Sequence, residues 1–409
     1  MNVLVVNAGS SSLKYQLFDT NTDTVFAKGI CERIGTDGAG IDHKQLIKGL
    51  RVEEKHPMKN HAQAMSIVVE KLLDATYGCI SSMDEIEAVG HRVVHGGAFF
   101  SESVLLSDDV LAKLRQCYDF APLHTPAHIQ GIEGCLTVMP DKPQVLVFDT
   151  AFHQTMKPEA FTYALPYELY RDYGVRRYGA HGTSHRFVAG EMLKILGRTE
   201  GTKIVTCHIG NGSSISAIKD GKVVDTSMGF TPLAGVEMGT RCGDIDPAIV
   251  PFMMEKLNLT PAEVSDLMNK KSGFLGVTGG FSSDSRDLEK AVADGPSNPH
   301  YEQADLAINI LKLQLKKLIG AYAAEMNGLD AIVFTAGIGE NNPRLRKIVC
   351  EDMSYFGIEL NKELNAKMLR QPNIVKLSTD ASRVAVYLIP TNEELLIARD
   401  TEALVKAAK

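Results

Sequence analysis

One local pattern occurs twice in this chain, some 200 residues apart: a β-branched run, a turn of Gly, Ser and Asn, then a second strand. The first copy reads Val3-Leu4-Val5-Val6-Asn7-Ala8-Gly9-Ser10-Ser11-Ser12-Leu13-Lys14, and the second Ile204-Val205-Thr206-Cys207-His208-Ile209-Gly210-Asn211-Gly212-Ser213-Ser214-Ile215. A third strand follows each, at 25–29 and, after the Asp220-Gly221 turn, at 222–225. Glycine admits left-handed backbone and close approach of a ligand. Successive N–H groups in such a turn form a concavity for anions. Either copy alone is compatible with an ordinary hairpin turn. Two copies in matching strand–turn–strand–turn–strand contexts point instead to two domains whose turns face one nucleoside polyphosphate.

The length of 409 residues suits two large domains, and 44% hydrophobic with 23% charged residues is the make-up of a soluble globular protein. A net charge of −7 argues against nucleic acid or an anionic membrane as partner, so an anionic substrate must be met by a local basic cluster. The seven cysteines, at 31, 79, 117, 135, 207, 242 and 350, include no C-x-x-C pair; reduced thiols in a cytoplasmic compartment are expected. The first residues have no basic stretch and only a short apolar one, which reads as a strand and not a signal peptide. No apolar run reaches the ~18–20 residues that span a bilayer.

Periodicity predicts a three-stranded meander over 2–34, helices at 60–77 and 107–118, and strands at 86–94 (broken by Gly90) and 144–149. Thr125 is expected as the N-cap of a further helix, with Pro126 in its first turn. The second half repeats the plan: a meander at 204–226, helices near 247–257, 261–269, 301–327 and 343–355, strands at 331–335 and 384–389, and a closing helix to about 406. Strands followed by strand–helix–strand units imply an α/β chain with a parallel component.

Several residues carry possible chemistry. The Gly-rich stretch 336–343 reads as a loop between strand and helix, suited either to a tight turn or to a nucleoside lying against main chain. Arg92 and Arg241 sit in Gly-rich surroundings. Each could bind phosphate or carboxylate bidentately, or pair with a structural carboxylate, Asp244 and Asp246 being near Arg241. His124 precedes a helix start, and His181 and His185 bracket another; the intervening Gly-Thr-Ser makes a zinc pair unfavourable and a donor to a phosphoryl group the better reading. Asp149 ends a buried strand, where it could orient an oxygen or cap a turn. Thr391-x-x-Glu394 has capping-box spacing. Glu393 is thereby left without a local partner and is a Mg²⁺ candidate.

At segments 7–14, 91–97, 121–128, 148–154, 178–185, 208–213, 225–246, 334–341 and 390–394 the chain closely resembles the acetate kinase family. The resemblance implies a two-domain actin-like ATPase (ribonuclease H-like) fold with a duplicated βββαβαβα core and an interdomain cleft. The first domain would comprise 1–150 plus 385–409 and the second, with the nucleotide site and dimer interface, 151–384. It also implies reversible, direct in-line phosphoryl transfer from ATP to acetate with Mg²⁺, or Mn²⁺ in its place, by a cytoplasmic homodimer. Carried over by position, Arg92, Asp149, His181 and Arg241 are catalytic. Arg92, Val94, Leu123, His124 and Pro232 bind the acid. Lys14, His208, Gly210, Asn211, Gly212, Asp284, Arg286, Gly337, Ile338, Gly339 and Asn341 bind nucleotide, and Asn7 and Glu393 the metal. Ala180 and Ser285 stand where some relatives carry bulkier residues, which leaves acid preference and adenine contacts open. A propionate or butyrate kinase of the same family is the runner-up, and a nucleotide-switched scaffold the rival from another class.

Overall fold

The computed structural model describes residues 1–122 and 124–409. Among these the chain divides into two compact units, Met1–Phe152 with Asn392–Lys409, and His153–Thr391.

The first unit holds strands β1 (Asn2–Gly9), β2 (Ser12–Asp19), β3 (Thr24–Glu32), β4 (Gly40–Gln45), β5 (Leu50–Lys55), β6 (Ala88–Val93), β7 (Val104–Leu105) and β8 (Gln144–Phe148), in the order β5-β4-β3-β2-β1-β6-β8-β7. β1 is antiparallel to β2 and parallel to β6, and β6 is parallel to β8. Val3, Leu4, Val5 and Val6 are all buried, as a central strand covered on both faces requires. One face carries the helices His61–Leu73 and Thr125–Val138. The helix Glu393–Ala407 lies on β1 and β6. Gly90 belongs to this contact: a Cβ there would stand 2.4 Å from Thr401 Oγ1 and 2.8 Å from Ile397 Cγ2. The glycine that interrupts the strand pattern is a seat for the closing helix.

The second unit holds β9 (Lys203–Ile209), β10 (Ser213–Lys219), β11 (Lys222–Thr226), β12 (Ala331–Thr335), β13 (Val375–Lys376) and β14 (Ala385–Leu388), in the order β11-β10-β9-β12-β14-β13. The run β11-β10-β9-β12-β14 repeats β3-β2-β1-β6-β8 with the same directions of pairing, so the duplicated actin-like plan is present in both units. The helix Tyr301–Glu325 presses Ala304, Ala307, Ile308, Leu311, Leu315 and Ile319 into the core beside this sheet.

Four expectations are corrected. The return to the first unit comes at Asn392 and not at 385, because β14 pairs along β12 and belongs to the second sheet. The stretch 336–341 is a short helix and not a loop; Ala336 takes φ 67° at its start, and its N–H donates to Glu340 Oε1 at 2.9 Å. The helix from Pro343 ends at Cys350, short of 355. His124, not Thr125, occupies the N-cap position of the helix Thr125–Val138. The β4–β5 hairpin was not anticipated. The inward face of β4 carries His43 and Gln45, polar residues that hide the alternation; His43 Nδ1 is 2.6 Å from the Tyr15 hydroxyl.

Candidate active site

In the first unit the parallel register sets Arg92 opposite Val147 and Val93 opposite Phe148. Asp149, one residue past β8, therefore comes beside Arg92. Nη2 donates to Oδ2 at 2.7 Å and Nε to Oδ1 at 3.3 Å, a two-point pairing with a side chain only 2% exposed. Glu393 Oε2 stands 3.7 Å from Arg92 Nε, so this carboxylate has an ionic partner that its sequence neighbourhood did not suggest. Asp149, then Glu393, raise the guanidinium pKa against the opposing effect of burial. The Val94 N–H donates to His128 Nε2 at 3.3 Å, and burial, reinforced by Arg92, pushes His128 down to about 3. His124 stacks on this ring with centroids 6.4 Å apart. Leu123 lies outside the described residues.

Asn7 pairs across the β1–β2 ladder with Lys14, and both line a cavity of about 230 Å³ together with Glu394. The expected capping box is absent: Asn392 caps the closing helix by accepting from Leu395 N at 3.1 Å. Thr391 instead receives a hydrogen bond from Ser184 Oγ at 2.8 Å and donates its N–H to Glu340 Oε1 at 3.2 Å. No cluster of three or more His, Cys, Asp or Glu suited to a metal exists among the described residues. An amide and a carboxylate, Asn7 and Glu393, fit Mg²⁺, which takes few protein ligands and completes its shell with phosphate oxygens and water.

In the second unit the histidines are organised by hydroxyls. His181 sits at the N-cap of the helix Gly182–Leu196 with φ 59°, a left-handed conformation that costs free energy for a residue with a Cβ. Its Nδ1 shares a hydrogen bond with Ser214 Oγ at 2.9 Å, and its ring stacks on His208 at 4.1 Å between centroids. His208 Nδ1 is 2.8 Å from Ser184 Oγ. His185 is bonded on both sides, to Thr206 Oγ1 and Ser214 Oγ at 2.7 Å each, which excludes the His181/His185 zinc pair. Burial holds its pKa well below the usual histidine value. Ser184, Thr206 and Ser214 were not singled out in the sequence; the serine run after Gly212 is the signal that could have found Ser214.

Arg241 is held by neutral groups: Nη1 donates to Pro232 O at 3.2 Å and lies 3.9 Å from Met238 Sδ. Burial lowers its pKa, with no carboxylate opposing. The two nearby acids are used elsewhere, Asp244 accepting from Gly235 N at 2.8 Å and Asp246 from Ala248 N at 2.9 Å. Gly212 is the meeting point. A Cβ built on it would lie 3.5 Å from Arg241 Nη1 and 3.5 Å from His181 Nε2. Guanidinium, imidazole and the glycine turn thus converge on one spot.

Beside that turn is a cavity of about 890 Å³. Gly210, Asn211, Asp284, Arg286, Gly337, Ile338 and Asn341 line it, seven of the residues expected at the nucleotide. A Cβ at Gly337 would enter open space, so the protein itself does not require glycine there. Gly339 is buried among its own neighbours, and Lys14 belongs to the first unit. Arg344 and Leu369 also line the cavity and were not foreseen. Arg344 is already paired with Glu289 at 3.1 Å and Asp305 at 3.2 Å.

A family model described as the acetokinase family matches residues 2–399. The chain is 54% identical over 406 residues to an acetate kinase of Fusobacterium nucleatum, covering 99% of this chain and all of that one. It is 52% identical over 410 residues to an acetate kinase of Caldanaerobacter subterraneus, with both chains fully covered. Among solved structures, the acetate kinase of Porphyromonas gingivalis superposes with TM-score 0.94 at 45% identity over 99% of each chain. A propionate kinase of Francisella tularensis gives 0.89 at 38% identity, covering 98% of this chain and 99% of that one. With a family match along nearly its whole length and relatives above half identity end to end, this chain belongs to the acetokinase family.

Proposed function

We propose that the protein is an acetate kinase, a phosphotransferase that moves the γ-phosphoryl group of ATP reversibly to the carboxylate of acetate, giving acetyl phosphate and ADP. The observation that carries this reading is the convergence of Arg241 Nη1 and His181 Nε2 on Gly212, the residue after Gly210 and Asn211, which line the 890 Å³ cavity. A guanidinium without a carboxylate and an imidazole at an anion-binding turn are what a transferring phosphoryl group needs.

Acetate is ionised at neutral pH, so no strong base is required. The barrier is repulsion between a carboxylate and a phosphate, and cationic stabilisation with positioning supplies the catalysis. Arg241 binds the phosphoryl oxygens. His181 donates a hydrogen bond to them through Nε2, Ser214 holding Nδ1. Arg92 orients the acetate carboxylate, and Asp149 fixes the guanidinium plane. His124 supports the phosphoryl pocket, and Val94 and Pro232 shelter the methyl group. Gly210, Asn211 and Gly212 take the phosphates of ATP, with Lys14 and His208 supporting them. Asp284, Arg286, Gly337, Ile338, Gly339 and Asn341 take the nucleoside. Asn7 and Glu393 would hold Mg²⁺, which supplies charge neutralisation on the phosphates when bound. Direct in-line transfer is favoured because the acid itself is the nucleophile.

We assign the protein to the cytoplasm, consistent with seven cysteines that form no disulfide among the described residues. A homodimer through the second unit is supported by exposed Ile249, Phe252, Leu257, Leu306 and Leu313. Purified protein with Mg-ATP and acetate is expected to accumulate an acyl phosphate trapped as hydroxamate. ATP hydrolysis indifferent to every short acid would refute the assignment. Ala180, buried against Met228 and Met238, favours propionate as second substrate, since one methylene shifts preference by only ~1–3 kcal/mol. Side-by-side rates with acetate, propionate and butyrate decide this.

A further inference from the structure

A second cavity in the His153–Thr391 unit, of about 430 Å³, contains a feature that phosphoryl transfer does not use. Glu237 lines it, is only 2% exposed, and has no hydrogen-bond partner on either carboxylate oxygen among the described residues. Its backbone N–H is satisfied by Gln314 Oε1 at 2.7 Å; the side chain is not. Burying a carboxyl group with nothing bound to it is unfavourable, and burial alone pushes Glu237 up to about 8. The titratable groups lining the cavity with it are Cys242 and Asp244 from the same loop and Lys271 from the next segment. The helix Tyr301–Glu325 contributes Ile310 and Gln314, which carry no charge, and Val277 completes an apolar wall. Asp244 has one oxygen engaged by Gly235 N–H, and Lys271 points outward with 71% of its side chain exposed.

An unpartnered buried carboxyl, a second carboxylate at the mouth and an apolar wall match a small cation that carries both N–H donors and a hydrocarbon tail. We propose that this cavity binds a small organic ammonium ion, its charge paired with Glu237 and its tail against Val277 and Ile310.

The same cavity wall holds the loop that carries Arg241. Ser272 N donates to Thr240 O at 3.0 Å, Phe274 N to Met238 O at 2.9 Å and Leu275 N to Gly239 O at 3.0 Å. Gly273 is packed so closely that a Cβ would lie 2.0 Å from Met238 O and 2.7 Å from Arg241 O. A ligand that ionises Glu237 therefore acts on the segment 238–241 from behind and, through Arg241, alters kcat. This coupling rests on the acetate kinase reading, whereas binding does not.

The test is calorimetry of the full chain with n-butylammonium chloride, using tetramethylammonium, which has no N–H, as control. Saturable binding of n-butylammonium is expected, with proton release revealed by buffers of different ionisation enthalpy. Affinity should rise up to about tenfold per pH unit below about pH 8, because the cation needs the ionised carboxylate. Glu237→Gln should weaken binding at least about tenfold and leave turnover without amine unchanged. Lys271→Gln should strengthen binding modestly by removing a like charge. Equal affinity in Glu237→Gln, equal binding of tetramethylammonium, or no saturable binding would each overturn the proposal. A change of oligomeric state in Glu237→Gln, seen by light scattering without amine binding, would assign the cavity to a second copy of the chain instead. An unaltered kcat at saturating amine would remove the coupling while leaving the binding site.

Discussion

Arg92 and Arg241 belong to different units and have been given opposite electrostatic settings. Arg92 is paired at two points with Asp149 and approached by Glu393. Arg241, comparably recessed, is held by a carbonyl and a thioether and keeps its charge uncompensated. The first arrangement fixes a guanidinium in place and leaves it nearly neutral as a group. The second holds a desolvated cation ready for an anion from outside the chain. A cation poised in that way gains most when negative charge arrives, so the larger share of transition-state stabilisation is assigned to Arg241.

The sharpest way to break this contrast is substitution. Arg241→Ala is expected to lower kcat by about 10³–10⁵, the range seen when a cation on a transferring phosphoryl group is removed. Its melting temperature should stay unchanged or rise, because a partly desolvated charge with no carboxylate partner among the described residues has gone. Arg92→Ala should also cost turnover, but with a signature that Arg241→Ala lacks. Asp149, 1% exposed, would lose its two-point pairing with Arg92. A stability loss of about 2–3 kcal/mol is expected, below the full value for a buried pair because the arginine is 24% exposed. Denaturant titration of the two variants side by side checks this, and equal stabilities would erase the contrast.

Gly212→Ala sharpens the comparison from the second unit alone. The new methyl would occupy the place between Arg241 and His181 where the phosphate is assigned. The KM for ATP should rise about tenfold or more while the fold is retained; an unchanged KM would move the phosphate away from this turn.

The last effect is one of pH on stability. In the first unit His91 and His95 are pushed down to about 4 and His128 to about 3, chiefly by burial. Unfolding restores ordinary histidines, which bind protons the folded state refuses. Stability from these groups is complete above about pH 6.5 and is lost as pH falls toward 4 and then 3. Glu237 has the opposite sign: its contribution is present below the ordinary carboxyl value and declines as pH rises through about 8. Melting temperatures across this range should fall at both ends, and Glu237→Gln should flatten the alkaline side only.

The meander duplication was legible because β-branched runs and Gly-Ser turns are local signals, and the topology repeats it strand for strand. Residues 336–341 read as a loop because of their glycine density, whereas Glu340 reaches back to close a helical turn. The cap at Asn392 was missed because Thr391 is drawn off by Ser184 and Glu340, partners distant in sequence. Glu237 carried no signal at all in a list of residues.

What the chain's order of residues determined by itself was the pair of glycine turns, the kinship with the acetokinases, and the set of side chains able to meet a phosphate. Which of two arginines would be neutralised was decided only in three dimensions. Asp244 and Asp246 lie close to Arg241 along the chain yet bond to backbone N–H groups, while Asp149, far from Arg92 in sequence, arrives on the neighbouring parallel strand. Separation along a chain says little about separation in space once strands pair, and a charge feels only the latter.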